Sequence, residues 1–407
     1  MKKLTALFSV VLLTAAVSAQ ASQKIVGFDS AHRGGAIQKS IESLGGKVTR
    51  NFTIIDFLAA VFPDNIKDSS IFSLKGVTDV AEDSYIRWIE AAPASMNAIP
   101  LPSVESALNM ARAGEGWETP LFTGIWPGVD PTVEEIPWGV KRVNAAGAWN
   151  YTAGQGVKVA VIDTGIDYTH PDLAANYKGG YNAIITTATP LDDHGHGTHV
   201  SGTVAAVKDL KGVVGVAPAA DLYGVKVLDK NGSGQYSWIV AGIEWAVTNG
   251  MNVINMSLGG SSGTPALKQV MIKAKEAGVT VVCAAGNDSG PVGYPARYPQ
   301  AIAVSASDSA DKLASFSSRG PEIAVIAPGV NVYSSYKGGG FRTMSGTSMA
   351  SPHVAGLAVL AIGAGTKGPD AVRAALKAAA TPLPGLNPTD QGAGLVDAAK
   401  LVANNAD

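Results

Sequence analysis

Gly346-Thr347-Ser348-Met349-Ala350-Ser351-Pro352-His353-Val354-Ala355-Gly356 runs from small residues into an apolar segment, 354–362, that reads as a buried helix. Proline suits the first helical turn, where its missing N–H costs little, so Pro352 points to a helix start close by. Ser348 then falls at the helix N-terminus. Unpaired backbone N–H groups and the positive end of the helix dipole gather there and stabilise developing negative charge. A serine so placed is a candidate nucleophile, and its own N–H is a candidate oxyanion donor. Taken alone, the stretch fits a plain N-cap equally well.

Working outward, Val157-Lys158-Val159-Ala160-Val161-Ile162 is β-branched and largely apolar on both faces, which predicts a central parallel strand. It stops at Asp163-Thr164-Gly165-Ile166-Asp167. An acid at the C-terminal end of such a strand lies where open α/β sheets place their sites, although a turn cap is the plainer alternative. Next, Asp192-Asp193-His194-Gly195-His196-Gly197-Thr198-His199-Val200-Ser201-Gly202 puts three of the six histidines within six residues. A zinc cluster of the metallo-β-lactamase type fits poorly. Thr198 stands where that pattern has an aspartate, and only His353 follows. One catalytic base in a Gly-rich helix start fits better. Gly259-Gly260-Ser261-Ser262-Gly263 matches the nucleophile elbow of α/β-hydrolases, but that scheme leaves Asp163 and His196 idle.

Further strands are expected at 222–228, 252–257, 279–284 and 301–304, with helices at 235–247 and 264–277 between them and at 370–380 and 395–403 after the Ser348 helix. The fold class is therefore α/β, a mostly parallel central sheet between two helix layers. A smaller unit precedes it. Strand 24–28, helix 36–44, strand 47–54, helix 65–74 and strands 77–80 and 86–90 suit a small ferredoxin-like α+β module. The proline-rich stretch 91–133 reads as a linker, with one helix at 103–112.

At 407 residues, 46% apolar, with a net charge of −2 and no basic run, the composition excludes a nucleic-acid binder. Lys2 and Lys3, an apolar core over 4–17 and small-x-small sites at Val17-Ser18-Ala19 and Ala19-Gln20-Ala21 predict a signal peptide at 1–21, and hence a secreted chain without a membrane anchor. The single cysteine, Cys283, excludes disulfides and reads as a buried hydrophobe.

Asp163-Thr164-Gly165, His196-Gly197-Thr198-His199 and Gly346-Thr347-Ser348-Met349-Ala350-Ser351-Pro352 occur in the order Asp, His, Ser. In this order the chain resembles the subtilisin-like serine proteases, the subtilase or peptidase S8 family. The resemblance runs from about Pro137 to the C-terminus and includes Pro171-Asp172-Leu173, Gly215-Val216-Ala217-Pro218 and Ala284-Ala285-Gly286-Asn287. It implies a subtilisin-like three-layer catalytic domain at 134–407, an inhibitory propeptide at 22–90 and a processing region at 91–133. It implies a serine endopeptidase in which Ser348 attacks, His196 is the base and Asp163 orients it, with Asn287 in the oxyanion hole.

The resemblance also implies a peptide substrate bound as an added strand between Gly232-Ser233-Gly234 and Ser257-Leu258-Gly259. The pocket for the residue before the scissile bond would be walled by Ser257-Leu258-Gly259 and Ala284-Ala285-Gly286 over Gly293. It would favour large apolar side chains, with Asp288 at the rim admitting a basic one. Tyr236, Ile239 and Leu258 would form a second apolar pocket. Structural calcium would be held by Asp172, Asp209, the carbonyls of Val207, Lys211 and Val213, and Glu134 or Glu135; a further site is conceivable near Ala296, Tyr298 and Glu322. The expected partners are protein substrates and the chain's own propeptide, and a monomer is expected. His194 and Gly195 depart from the family pattern before the base, and the segment 288–292 is short.

Overall fold

The computed structural model describes residues 21–32, 35–89 and 134–403. The expected signal peptide, the linker 91–133 and the helix at 103–112 lie outside the described residues. The chain divides into two units. The smaller runs to Glu82 without Phe52–Ile55; the larger takes Phe52–Ile55 and Asp83–Asp407.

In the smaller unit, strands β1 (Ser22–Phe28), β2 (Lys47–Asn51), β3 (Phe57–Phe62) and β4 (Val77–Glu82) form an antiparallel sheet in the order β2-β3-β1-β4. Helices Gly35–Ser43 and Asp68–Phe72 make the crossovers, and Ile37, Ile41 and Ile71 pack with Val26, Leu58 and Phe62. This is the β-α-β-β-α-β arrangement of a ferredoxin-like module. Sequence periodicity merges β2 with the following turn and passes over β3, because Phe57-Leu58-Ala59-Ala60-Val61-Phe62 is apolar throughout and shows no alternation. The strand expected at 86–90 corrects differently. β5 (Tyr85–Arg87) leaves this sheet and pairs antiparallel with β9 (Ser233–Gln235) inside the larger unit.

The larger unit carries a nine-stranded sheet. Its strands are β6 (Lys158–Asp163), β7 (Tyr177–Asn182), β8 (Asp221–Lys226), β10 (Val253–Met256), β11 (Thr280–Ala284), β12 (Ala301–Ser307), β13 (Ile323–Pro328), β16 (Ala380–Thr381) and β17 (Leu395–Val396). They run in the order β16-β17-β13-β12-β11-β10-β6-β8-β7, parallel except at β16–β17. Chain order reverses between β6 and β10, and ligands bind at such a switch point, beyond the C-terminal strand ends. Asp163 is the last residue of β6, and Ser257 follows β10.

Successive side chains of β6 face opposite layers. Val159 and Val161 join the core of helix Thr347–Gly363, with Val354 and Leu357. Ile162 faces helix Tyr236–Thr248, where a Cβ on Gly242 would lie 3.3 Å from it. Helix Thr347–Gly363 is buried from Thr347 to Ala361, as an all-round apolar helix must be. A Cβ on its Gly356 would sit 2.6 Å from Val216, so this crossing needs a glycine.

Three local expectations are corrected. The strand expected at 222–228 stops at Lys226, because the N–H groups of Val227 and Leu228 turn to the Asp163 carbonyl at 2.9 and 3.2 Å. Leu395–Val396 is a strand, so the last helix begins only at Ala398. The expected set also omits β7, β13 and the hairpin of β14 (Val332–Tyr336) and β15 (Gly340–Met344).

Candidate active site

Asp163, His196 and Ser348 are 0%, 2% and 6% exposed at the switch point. Asp163 Oδ1 accepts from His196 Nδ1 at 2.8 Å and from the Thr164 N–H at 2.7 Å. That contact puts the proton on Nδ1 and leaves Nε2 as the basic nitrogen. His196 begins helix His196–Ala205, whose N-cap, Gly195, has φ +108°. His196 is thus held at a helix start by its own backbone and by Asp163.

Pro352 does not lie in the first turn, as the sequence suggested. The helix starts at Thr347, and Pro352 falls in its second turn. The consequence is local. Pro352 has no N–H to give the Ser348 carbonyl four residues back, and that carbonyl accepts from Ser257 Oγ at 2.7 Å instead. Ser348 Oγ in turn donates to the Ser257 carbonyl at 3.1 Å. The hydroxyl therefore points to the end of β10, and among the described residues His196 Nε2 has no hydrogen-bond partner. Such contacts often tighten only around a bound substrate.

Asn287 shares a cavity with Ser348. Its Oδ1 accepts from the Thr347 N–H at 2.8 Å and from Thr347 Oγ1 at 2.9 Å. Both bonds fix the amide with its Nδ2 edge turned the other way. Asn287 and Ser348 line a cavity of about 470 Å³ together with Leu258, Gly259, Ala284, Gly286, Asp288 and Gly293. The Asp288 carboxylate accepts from Ser318 Oγ at 2.7 Å, which holds its pKa below the usual carboxylate range. Of the other pocket residues, Ala285 and Ile239 are buried, and Tyr236 gives its hydroxyl proton to the Ser262 carbonyl at 2.8 Å.

The edges expected to take substrate are occupied by the chain itself. Ile86 lies opposite Gly234 and Arg87 opposite Ser233. The N–H groups of Trp88 and Ile89 donate to the Gly232 carbonyl at 3.0 and 3.2 Å, and the Gly259 N–H donates to the Trp88 carbonyl at 3.0 Å. Trp88 meets Tyr236 edge to face at 4.9 Å and donates its indole N–H to the Gly234 carbonyl.

Family membership is decided by sequence as well as by this geometry. The subtilase family model matches residues 154–396. The chain belongs to the subtilase family. Subtilisin amylosacchariticus of Bacillus subtilis subsp. amylosacchariticus is 53% identical over 235 residues, 56% of this chain and 61% of that relative. Subtilisin of Bacillus pumilus is 52% identical over 235 residues, 56% of this chain and 84% of its own. The thermostable alkaline protease of Halalkalibacterium halodurans is 46% identical over 263 residues, 64% of this chain and 72% of its own. The match thus covers about three fifths of the first relative's length.

Sequence reasoning misses the supports of this subtilase's site. Asp192 accepts from Thr164 Oγ1 and from the N–H groups of His194 and Gly195 through Oδ1, and from the Thr198 N–H and Oγ1 through Oδ2. It therefore ties the β6 end to the start of the His196 helix. Lys226, 6% exposed, donates to the carbonyls of Thr164 and Leu228 and to Asp193 Oδ1 at 2.6 Å. The available signal was an acid at Asp192 just ahead of a helix start, a residue type that caps N-terminal N–H groups.

The loop expected to hold a cation is tightly packed around Asp172. Asp172 is 3% exposed, and burial together with the Asp209 charge pushes its pKa up. Its Oδ2 accepts from the Val213 N–H at 2.9 Å, and a Cβ on Gly212 would lie 2.3 Å from Oδ1. Leu210 and Gly212 have φ of +74° and +57°. Glu134 Oε1 takes the Leu210 N–H at 3.0 Å. No three His, Cys, Asp or Glu side chains among the described residues converge on a metal position. A cation here would thus need backbone carbonyls beside Asp172 and Asp209. At the second expected locus, Arg297 Nε lies 4.0 Å from Glu322.

His199 and His353, both fully buried, are structural. His199 Nε2 donates to the carbonyls of Val332 and Arg342, and His353 Nδ1 to that of Met349 at 2.8 Å. Burial pushes their pKa values down to about 3 and about 4, from 6.5. The unfolded chain therefore binds more protons below pH 6.5, and stability falls as the pH drops through 6.5 towards 4. At pH 5 each histidine is expected to remove about 2 kcal/mol, and above pH 7 neither adds a slope. Urea midpoints of Ser348→Ala protein at pH 8, 6 and 5 test this; equal midpoints would contradict it.

Proposed function

We propose that this subtilase is a secreted serine endopeptidase made as a self-processing precursor. The observation that carries the reading is the buried Asp163–His196 pair at the sheet switch point, in a cleft where Ser348 stands at a helix N-terminus beside Asn287. The subtilisins and the alkaline protease to which the chain is similar support the same chemistry.

In that reading Ser348 Oγ adds to the scissile carbonyl carbon while His196 Nε2 takes its proton. Asp163 Oδ1 keeps the ring's proton on Nδ1 and stabilises the imidazolium. The carbonyl oxygen becomes an oxyanion, met by Asn287 Nδ2 and the Ser348 N–H. His196 then returns the proton to the leaving amine, and water repeats the sequence on the acyl-enzyme. Glycine and alanine walls leave room for large apolar residues before the scissile bond, so specificity is broad and set mainly by backbone pairing. Residues 22–90 act as inhibitor and folding template, and a first cut falls near Glu90, which follows Ile89. The positive n-region and apolar core at 1–21 support export.

Treatment with a sulfonyl fluoride tests the reading. Loss of caseinolysis with one label, on the peptide holding Ser348, is the expected result. Intact caseinolysis, or a label on another serine, counts against it.

Calcium is placed in the loop of Asp172, Asp209 and Glu134, with the carbonyls of Val207, Lys211 and Val213. Its charge would hold the buried Asp172 carboxylate ionised. Free calcium at a thousand times its dissociation constant adds about 4 kcal/mol. Chelation is then expected to lower Tm by roughly 8–16 °C for a unit of this size. An Asp172→Asn protein should show a much smaller change. An unaltered Tm in the unsubstituted protein rejects the site.

A further inference from the structure

The cleft holds a second imidazole that the mechanism leaves unused. His194 is half-buried two residues before the base, and its ring centroid lies 6.2 Å from that of His196. The His196 main-chain N–H donates to His194 Nδ1 at 3.3 Å. Nδ1 is therefore the unprotonated nitrogen, and Nε2 carries the ring proton. Burial, and next the neighbouring His196, hold the His194 pKa below its ordinary value, so in weakly alkaline solution the ring is a neutral donor.

The donor has a defined aim. Nε2 lies 3.7 Å from the point that a Cβ on Gly232 would occupy, and Ile89 Cβ lies 3.1 Å from the same point. His194 Nε2 and the Ile89 side chain thus converge on one small volume beside the Gly232 edge. Isoleucine has no acceptor to offer there.

The main chain that carries the ring is also held. Tyr336 Oη donates to the His194 carbonyl at 3.1 Å and accepts from Arg342 Nη1 at 2.9 Å. The Arg342 guanidinium lies 5.0 Å over the Tyr336 ring. Lys337 Nζ donates to the Asp193 carbonyl at 2.6 Å, and Asp192 Oδ1 takes the His194 N–H. A Cβ on Gly195 would lie 2.3 Å from Tyr336, so the hairpin packs directly on this loop. With Nδ1 bonded and the main chain fixed, the donor loses less entropy on bonding a ligand.

We propose that His194 is a specificity-determining residue, whose Nε2–H donates to a carboxylate or amide oxygen on the substrate side chain that takes the place of Ile89. That place is the second residue before the scissile bond when the cut follows Glu90. The proposal rests on the peptidase reading above.

Succinyl-Ala-Ala-X-Phe p-nitroanilides with X as Asn, Leu, Asp or Ala test it at pH 8 with calcium. Asn and Leu are near-isosteres and differ in the acceptor. Wild type is expected to favour Asn over Leu by roughly three- to tenfold in kcat/KM, the worth of one hydrogen bond. His194→Ala should lose that preference, and His194→Gln, which keeps an N–H donor, should restore most of it. Sulfonyl fluoride labelling of each variant shows that its site is assembled. An identical Asn/Leu ratio in wild type and His194→Ala overturns the proposal while leaving the peptidase reading intact. Failure of wild type to cleave any of the four peptides overturns both.

Discussion

Ser348→Ala protein is expected to keep the mass of its unprocessed chain and to lose proteolysis by roughly 10⁶-fold in kcat, a magnitude that belongs to the subtilisin triad and is not obtained from this geometry. Wild-type protein should shorten itself, with a new N-terminus between residues 90 and 134. The reason is structural. On the proposed reading Ser348 Oγ is the nucleophile, in the first turn of the 17-residue helix Thr347–Gly363, and alanine removes that atom alone. The backbone N–H and the Ser257 Oγ contact to the Ser348 carbonyl both survive, so the variant should fold. Intact mass and N-terminal sequencing of the two proteins read the outcome together. Equal shortening in both would assign processing to another protease. Residual caseinolysis above about one thousandth of wild type would assign the nucleophile elsewhere.

Asn287→Ala should lower kcat by about 10²–10³ with KM nearly unchanged, again the magnitude known for the equivalent donor in subtilisin. Asn287 Oδ1 is engaged twice by Thr347, at 2.8 and 2.9 Å. The amide is therefore oriented before substrate arrives and needs no reorganisation when charge develops. Its donor matters most to an oxyanion, so the loss falls on kcat. Thr347→Val removes one of the two restraints, together with the acceptor for the Gly286 N–H at 3.1 Å. It should cost roughly three- to tenfold, as one hydrogen bond does. A raised KM with kcat preserved would make Asn287 a ground-state contact instead.

The central α/β pattern is legible in the sequence because both-face apolar strands such as Val157-Lys158-Val159-Ala160-Val161-Ile162 alternate with helical stretches. β3 escapes the same reasoning, since six apolar residues in a row carry no period. A strand is expected where β5 lies, but its pairing with β9 escapes, because that partner lies nearly 150 residues away and nothing local records it. At the site, residue type and order disclose Asp163, His196 and Ser348. Lys226 stays hidden, because much of its work is done through backbone groups. A carbonyl looks the same in every residue, so a lysine that bonds Thr164 and Leu228 carbonyls leaves no trace in the sequence. Pro352 lies outside the first turn that its residue type suggests for a similar reason. Its fit to a first turn is a local rule, whereas Ser257, 91 residues before Ser348, supplies the missing donor.

That exchange between Ser257 and Ser348 also bears on timing. Folding brings distant segments together late, after the entropy of closing long loops has been met. The Ser348 carbonyl lacks its helical donor and waits for the end of β10, and the Ser348 hydroxyl is oriented by the same residue. A chain still emerging or half-collapsed, without the end of β10 in place, lacks an oriented hydroxyl at the helix start. Hydrolytic power would then switch on only with the last long-range closure, when little unfolded chain remains nearby to be cut.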